Sequence, residues 1–176
     1  MCVIIYKPKN KPLPDYDTLL ACYNRNRDGM GFCATNGEIR HTMSFYRFLS
    51  ELGKVDESEA AILHFRWATH GSVGVKNCHP FRARESGVFF AHNGVLDIEA
   101  TRDRTDSETW FRDRFLPMLD LYGWDSKKLW DWVNVERGAS RFIFMRDGEV
   151  KTLGHWYKVG NCWYSNIIWQ NRLLTL

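Results

Sequence analysis

Short apolar runs alternate with polar, turn-forming stretches along this chain, and their lengths predict a mixture of strands and helices. Cys2 to Tyr6 is continuously apolar and reads as a buried strand; Pro8, Pro12 and Pro14 enforce a loop after it. Asp15 or Asp17 is placed to cap a helix reaching about Asn24, with Leu19, Leu20 and Tyr23 on one face. Met30 to Thr35 and Glu38 to Thr42 flank Asn36-Gly37, a dipeptide that predicts a hairpin with two positive-φ positions in its turn. Ser44 can cap the amphipathic segment Phe45 to Leu52. Ala60 to Trp67 and Val88 to Ala91 are apolar runs followed by polar residues, the pattern of buried strands that deliver polar groups at their ends.

Farther along, Thr105 or Asp106 is expected to cap a helix from Glu108 to Leu121, which Pro117 should kink or end early. Trp124 to Val135 has the periodicity of a second amphipathic helix. Strands return at Arg141 to Met145, at Glu149 to Leu153 after an Asp147-Gly148 turn, and at Asn161 to Ser165. Neither a repeat nor a linker-like composition interrupts residues 1–176, so a single domain is expected.

Composition narrows the class. A chain of 176 residues can bury roughly 70% of its unfolded surface in one core. With 44% hydrophobic and 26% charged residues it is not of the disordered type. The net charge of +3 is dispersed, without a block of like charges, which argues against a nucleic-acid partner. The eight tryptophans are read as core aromatics. No run approaches the roughly 18 apolar residues of a membrane span. The apolar run after Met1 is too short for a secretory signal, and its lysines follow rather than precede it. The five cysteines are scattered without a C-x-x-C pair, so neither a disulfide framework nor a zinc knuckle is suggested. A cytoplasmic protein with no metal and no cofactor is the resulting expectation.

Cys2 directly follows the initiator methionine, and its side chain is small enough to permit removal of Met1. Removal leaves one residue with a thiol, of reference pKa about 8.5, and a free α-amine, of about 7.7–8.0. Such an amine can accept the thiol proton, as in N-terminal threonine nucleophiles. The plainer alternative is that Cys2 only begins a buried strand. Three polar clusters stand elsewhere: Arg66 to Gly71, His92-Asn93-Gly94, and Thr105-Asp106-Ser107-Glu108. Each also has an ordinary reading. Asn93-Gly94 can be a turn, Thr105 to Glu108 a capping box, Arg66 a snorkelling side chain, and His70 and His92 hydrogen-bonded structural residues. Taken with a leading cysteine they suit one ligand. An arginine fork grips a carboxylate, an aspartate matches an ammonium, and an asparagine amide with a glycine N–H can hold an oxyanion. An amino acid with a side-chain amide, glutamine above all, carries those groups.

Met1-Cys2 with its strand, Arg66-Trp67-Ala68-Thr69-His70-Gly71, Asn77-Cys78-His79-Pro80-Phe81, His92-Asn93-Gly94 and Thr105-Asp106-Ser107-Glu108, in this order, resemble the class II glutamine amidotransferases of the N-terminal nucleophile hydrolase superfamily. Arg27-Asp28-Gly29-Met30-Gly31 resembles a variant of that family's glycine-containing support motif, and Trp163-Tyr164-Ser165-Asn166 a strand end near the domain's C-terminus. The resemblance implies an α/β fold, a four-layer α/β/β/α sandwich of two antiparallel sheets. It implies Cys2 as nucleophile with its own amine as base, and Asn93 and Gly94 as the oxyanion hole. It places Arg66 on the substrate α-carboxylate, Asp106 on its α-ammonium, Thr69 and His70 along the pocket, and Trp67 as wall or lid.

The protein so implied is a stand-alone glutaminase or amidotransferase domain, whose ammonia acceptor, if there is one, is a separate acceptor or synthase protein. Two alternatives keep the scaffold. One hydrolyses another γ-glutamyl amide. The other is a non-catalytic interaction protein, which retention of Met1 would favour by converting the α-amine into a peptide nitrogen.

Overall fold

The computed structural model describes residues 1–68, 72–98 and 104–170. In chain order its first half contains β1 (Val3–Lys7), α1 (Tyr16–Arg25), β2 (Met30–Ala34), β3 (Ile39–Thr42), α2 (Phe45–Leu52), β4 (Ala61–Phe65), β5 (Phe81–Arg82) and β6 (Phe89–Asn93). A long helical stretch comes next as α3 (Asp106–Thr109), a π-helical segment (Trp110–Phe115) and α4 (Leu116–Tyr122). After α5 (Lys127–Glu136) come β7 (Arg141–Arg146), β8 (Glu149–Leu153), β9 (Tyr157–Val159) and β10 (Cys162–Tyr164).

The strands form two antiparallel sheets, a six-stranded one ordered β3-β2-β4-β1-β10-β9 and a four-stranded one ordered β5-β6-β7-β8. Alternation along each strand sends side chains to opposite faces and so builds three separate cores. Val3, Ile5, Phe32, Leu63 and Phe65 face Leu19 and Cys22 of α1 and Phe48 and Leu52 of α2. Ile4, Cys33, Ile62, Phe89, Ala91, Ile143 and Met145 fill the space between the sheets. Phe90, Phe142 and Phe144 face Trp110, Phe111, Phe115 and Leu129 on the other side. The result is helix, sheet, sheet and helix in four layers, the sandwich expected from the resemblance. Each fully buried Phe or Leu contributes about 1.5–3 kcal/mol of transfer free energy, and Phe90 adds stacked contacts to Phe111 and Phe144 at 5.1 and 4.8 Å between centroids.

Local differences from the sequence reading have physical causes. In the β2–β3 hairpin Asn36 does not take a positive φ; Gly37 alone does, at 87°. The Asn36 side chain instead accepts from Glu38 N at 2.9 Å while Gly37 N donates to Ala34 O, a longer loop in which one left-handed residue suffices. Pro117 does not end its helix, which continues to Tyr122. It sits in the first turn of α4, just after the π-helical segment, whose wider turn accommodates a residue without an N–H. The stop comes at Gly123, with φ 79°. β5 and β9 carry no sequence signal because they are short and are held by their neighbours. Of the tryptophans, Trp110, Trp124 and Trp169 are core residues, whereas Trp67 and Trp163 are exposed. Among the described residues, no helix is long and apolar enough to cross a membrane.

Candidate active site

Antiparallel pairing of Val3 with Phe65 brings the residues just beyond each strand end together, so Cys2 lies against Arg66 and Trp67. Trp67 N donates to Cys2 Sγ at 3.4 Å, and the thiol in turn donates to Trp67 O at 3.5 Å. Burial pushes the thiol pKa up; the Trp67 N–H, the chain's N-terminus and the Arg66 guanidinium act against that rise. Asn166 Nδ2 donates to Cys2 O at 2.7 Å, fixing the carbonyl of the same residue.

The Arg27 to Gly31 segment holds the Arg66 strand end in place. Arg66 N donates to Gly29 O at 2.8 Å, Asp28 N to Arg66 O at 3.1 Å, and Ala68 N to Asp28 Oδ2 at 2.8 Å. Gly29 is required by close approach: at φ 124°, a Cβ would sit 2.4 Å from Cys78 Sγ. Arg66 is buried and its Nη1 donates to Ser72 O at 3.1 Å, an oxygen that also accepts from Asn77 Nδ2 at 2.9 Å.

At the end of β6, Asn93 is buried between the sheets and its Nδ2 donates to Ser165 Oγ at 2.9 Å. Gly94 occupies a place where nothing larger fits, since a Cβ there would lie 2.2 Å from Ser140 Oγ and 2.7 Å from Ser140 Cβ. Thr105 caps α3 by accepting from Glu108 N at 3.2 Å. The Glu108 carboxylate bonds Arg112 at 2.7 Å. Asp106, also buried, accepts from Ser107 N at 2.8 Å on one oxygen and from Leu96 N at 3.0 Å on the other. His92 Nδ1 lies 2.8 Å from Ser107 Oγ. Burial pushes His92 down to about 4, with Asp106 opposing; burial also holds His64 and His79, 3.2 Å apart through Nε2 and Nδ1, well below the usual histidine value.

Cys2, Arg66, Trp67, His92, Gly94 and Asp106 line one narrow cavity of about 30 Å³. That volume holds a water or so, and an amino acid enters only if rim side chains move; Trp67, 52% exposed, stands at that rim. Asn93 adjoins the cavity without lining it, and one of the two N–H groups of its Nδ2 is given to Ser165 Oγ. Thr69 and His70 lie outside the described residues. A larger cleft of about 480 Å³, lined by Arg82, Arg84 and Arg112 among others, shares no residue with this cavity. Among the described residues, no group of three or more His, Cys, Asp or Glu is placed to hold a metal ion. Sequence reasoning assigned no role to Ser165, Asn166 or Ser107, although all three fall within the family-like motifs. Ser140 had no local signal at all.

Known proteins resemble this chain in sequence and in fold. The family model for class II glutamine amidotransferases matches residues 43–120. Glutamine–fructose-6-phosphate aminotransferase (isomerizing) of Encephalitozoon cuniculi is 31% identical over 87 residues, 41% of this chain and 12% of that protein. The enzyme of the same name from Chlamydia caviae is 42% identical over 57 residues, 26% of this chain and 9% of its own length. The matched stretches are therefore a small part of those relatives. Among solved structures, glutamine phosphoribosylpyrophosphate amidotransferase from B. subtilis superposes with a TM-score of 0.59 at 22% identity, covering 93% of this chain and 41% of that one. A structure described as the allosteric regulatory enzyme of purine biosynthesis gives 0.60 at 22%, with the same coverage.

Proposed function

As the chain belongs to the class II glutamine amidotransferases, we propose that it hydrolyses the side-chain amide of glutamine through Cys2, releasing glutamate and ammonia. The observation that carries this reading is the meeting of Cys2, Arg66, Gly94 and Asp106 around one cavity, although they come from four separate stretches of sequence.

Removal of Met1 frees the Cys2 α-amine, which takes the thiol proton, and the thiolate attacks the amide carbon. Gly94 N–H and the second N–H of Asn93 Nδ2 receive the charge that develops on oxygen. The carbon–nitrogen bond breaks, the departing nitrogen takes a proton from the α-ammonium, and ammonia leaves a γ-glutamyl thioester. Water adds to the thioester carbon with the amine as base; the carbon–sulfur bond breaks, giving glutamate and the thiol. Arg66 binds the substrate α-carboxylate through its fork, and Asp106 the α-ammonium. Trp67 covers the pocket; the substrate-binding roles that the family resemblance gives Thr69 and His70 fall on residues outside the described ones. Residues 1–176 act as one domain in this reading. The relatives contain the matched stretch within much longer chains, which supports an ammonia acceptor supplied from outside it.

Intact mass, ammonia release from glutamine and labelling by a glutamine-mimicking diazoketone test this together. Protein that lacks Met1, releases ammonia and gains one label on Cys2 is expected. Protein with a free N-terminal Cys2 that does neither sinks the hydrolase reading, and retained Met1 on the native product points to the non-catalytic alternative.

A further inference from the structure

His92 is the penultimate residue of β6, on the face turned to the helices, where its ring meets Phe142 edge-on at 5.1 Å between centroids. Its Nδ1 is 2.8 Å from Ser107 Oγ, and that hydroxyl is 3.2 Å from Asp106 Oδ1. A hydroxyl has one proton to give. Given to Nδ1, it would leave the oxygen's lone pairs facing a carboxylate oxygen in a buried site. Given to Asp106 it forms a charge-assisted bond, and Nδ1–H then donates to Oγ. A neutral imidazole has one N–H, so Nε2 is left with a lone pair. Nε2 is buried and has no hydrogen-bond partner among the described residues. It lies against Gly94, where a Cβ would be 3.0 Å from it, and both residues line the Cys2 cavity. A buried acceptor without a donor is costly and calls for a ligand.

Asp106 shows what the ligand needs. Its two oxygens already accept from Ser107 N, Ser107 Oγ and Leu96 N, three of the roughly four lone-pair sites of a carboxylate. An ammonium brings three N–H groups, more than Asp106 can receive. We propose that His92 is a substrate-binding residue whose Nε2 accepts an N–H of the substrate α-ammonium beside Asp106, so that a pocket built on His92, Ser107 and Asp106 selects α-amino acids over amides that lack the amine. The inference rests on the glutamine-hydrolysing reading.

Glutamine and glutaramate, the same amide without the α-amine, separate the possibilities. His92→Asn keeps a donor for Ser107 but does not reach the Nε2 position; His92→Gln returns an acceptor near it. For H92N the KM for glutamine should rise about ten- to a hundredfold, the size of a lost charge-assisted bond. The KM for glutaramate should stay within about twofold, and H92Q should recover part of the loss. Equal losses on both substrates, or none on glutamine, overturn the proposal. Wild-type protein that hydrolyses neither amide sinks the hydrolase reading itself. Nitrogen NMR of the wild-type histidines decides even where H92N fails to fold: His92 should be the Nδ1–H tautomer, and an Nε2–H tautomer overturns the assignment whether or not glutamine is turned over.

Discussion

Asn93 and Ser165 are separated by 72 positions in sequence and joined by a hydrogen bond of 2.9 Å. The same Ser165 hydroxyl accepts from Ile4 N at 2.9 Å, two residues beyond Cys2. One buried oxygen therefore ties the strand that follows Cys2 to the strand that ends at Asn93, across the two sheets.

Ser165→Ala removes that oxygen and leaves two buried donors without an acceptor. Stability should fall by about 1–3 kcal/mol or more, and kcat should fall more than KM changes, because Asn93 loses its anchor. Urea melts and ammonia-release kinetics read the two effects; a loss confined to KM would contradict the anchoring role.

Asn93→Ala should lower kcat about 10²–10³-fold, the cost of one oxyanion-hole donor, with binding of glutamate little altered. Calorimetry on the same variant separates the two quantities. A loss of binding equal to the loss in kcat would assign Asn93 to ground-state binding instead.

Gly94→Ala should be strongly destabilising, since its Cβ collides with Ser140. Pairing it with Ser140→Gly removes both colliding atoms and should restore part of the lost stability; the rest stays with the backbone, whose φ of 152° is strained for any side chain. A double variant as unstable as the single one would place the strain in the Gly94 backbone.

Acid should weaken the fold through its buried histidines. Unfolded, these rings protonate near about 6.5; folded, His92 resists protonation down to about 4, and His64 and His79 are held well below the usual value, by burial above all. The unfolded chain thus binds more protons below pH of about 6.5. The stability they contribute is complete above that pH and is lost as pH falls toward about 4. Each ring accounts for up to about 1.4 kcal/mol per pH unit. Urea midpoints across that range measure the slope, and His92→Asn should flatten it; midpoints independent of pH would exclude neutral burial.

Several elements were readable because their cause is local. Asp15, Ser44 and Thr105 cap the helices that begin just after them through their own side chains, and Asp147-Gly148 turns with two positive-φ residues. Lys7 was not readable: its position after an apolar strand suggests solvent, yet it is fully buried, with Nζ on the carbonyl oxygens of Asp56 at 3.4 Å and Glu57 at 2.6 Å. Its partners lie about fifty residues away, beyond the reach of any local pattern.

The site divides along the same line. Sequence alone determined which residue types are present and in what order, enough to place Cys2, Arg66, Gly94 and Asp106 in one family pattern, because strand ends and helix caps are local features. Only the tertiary structure decided that Asn93 turns to Ser165, that Ser107 links His92 to Asp106, and that Ser140 leaves Gly94 no room for a side chain. Hydrogen-bond direction and close approach are properties of pairs of residues brought together by sheet pairing and packing, and a one-dimensional pattern does not specify them.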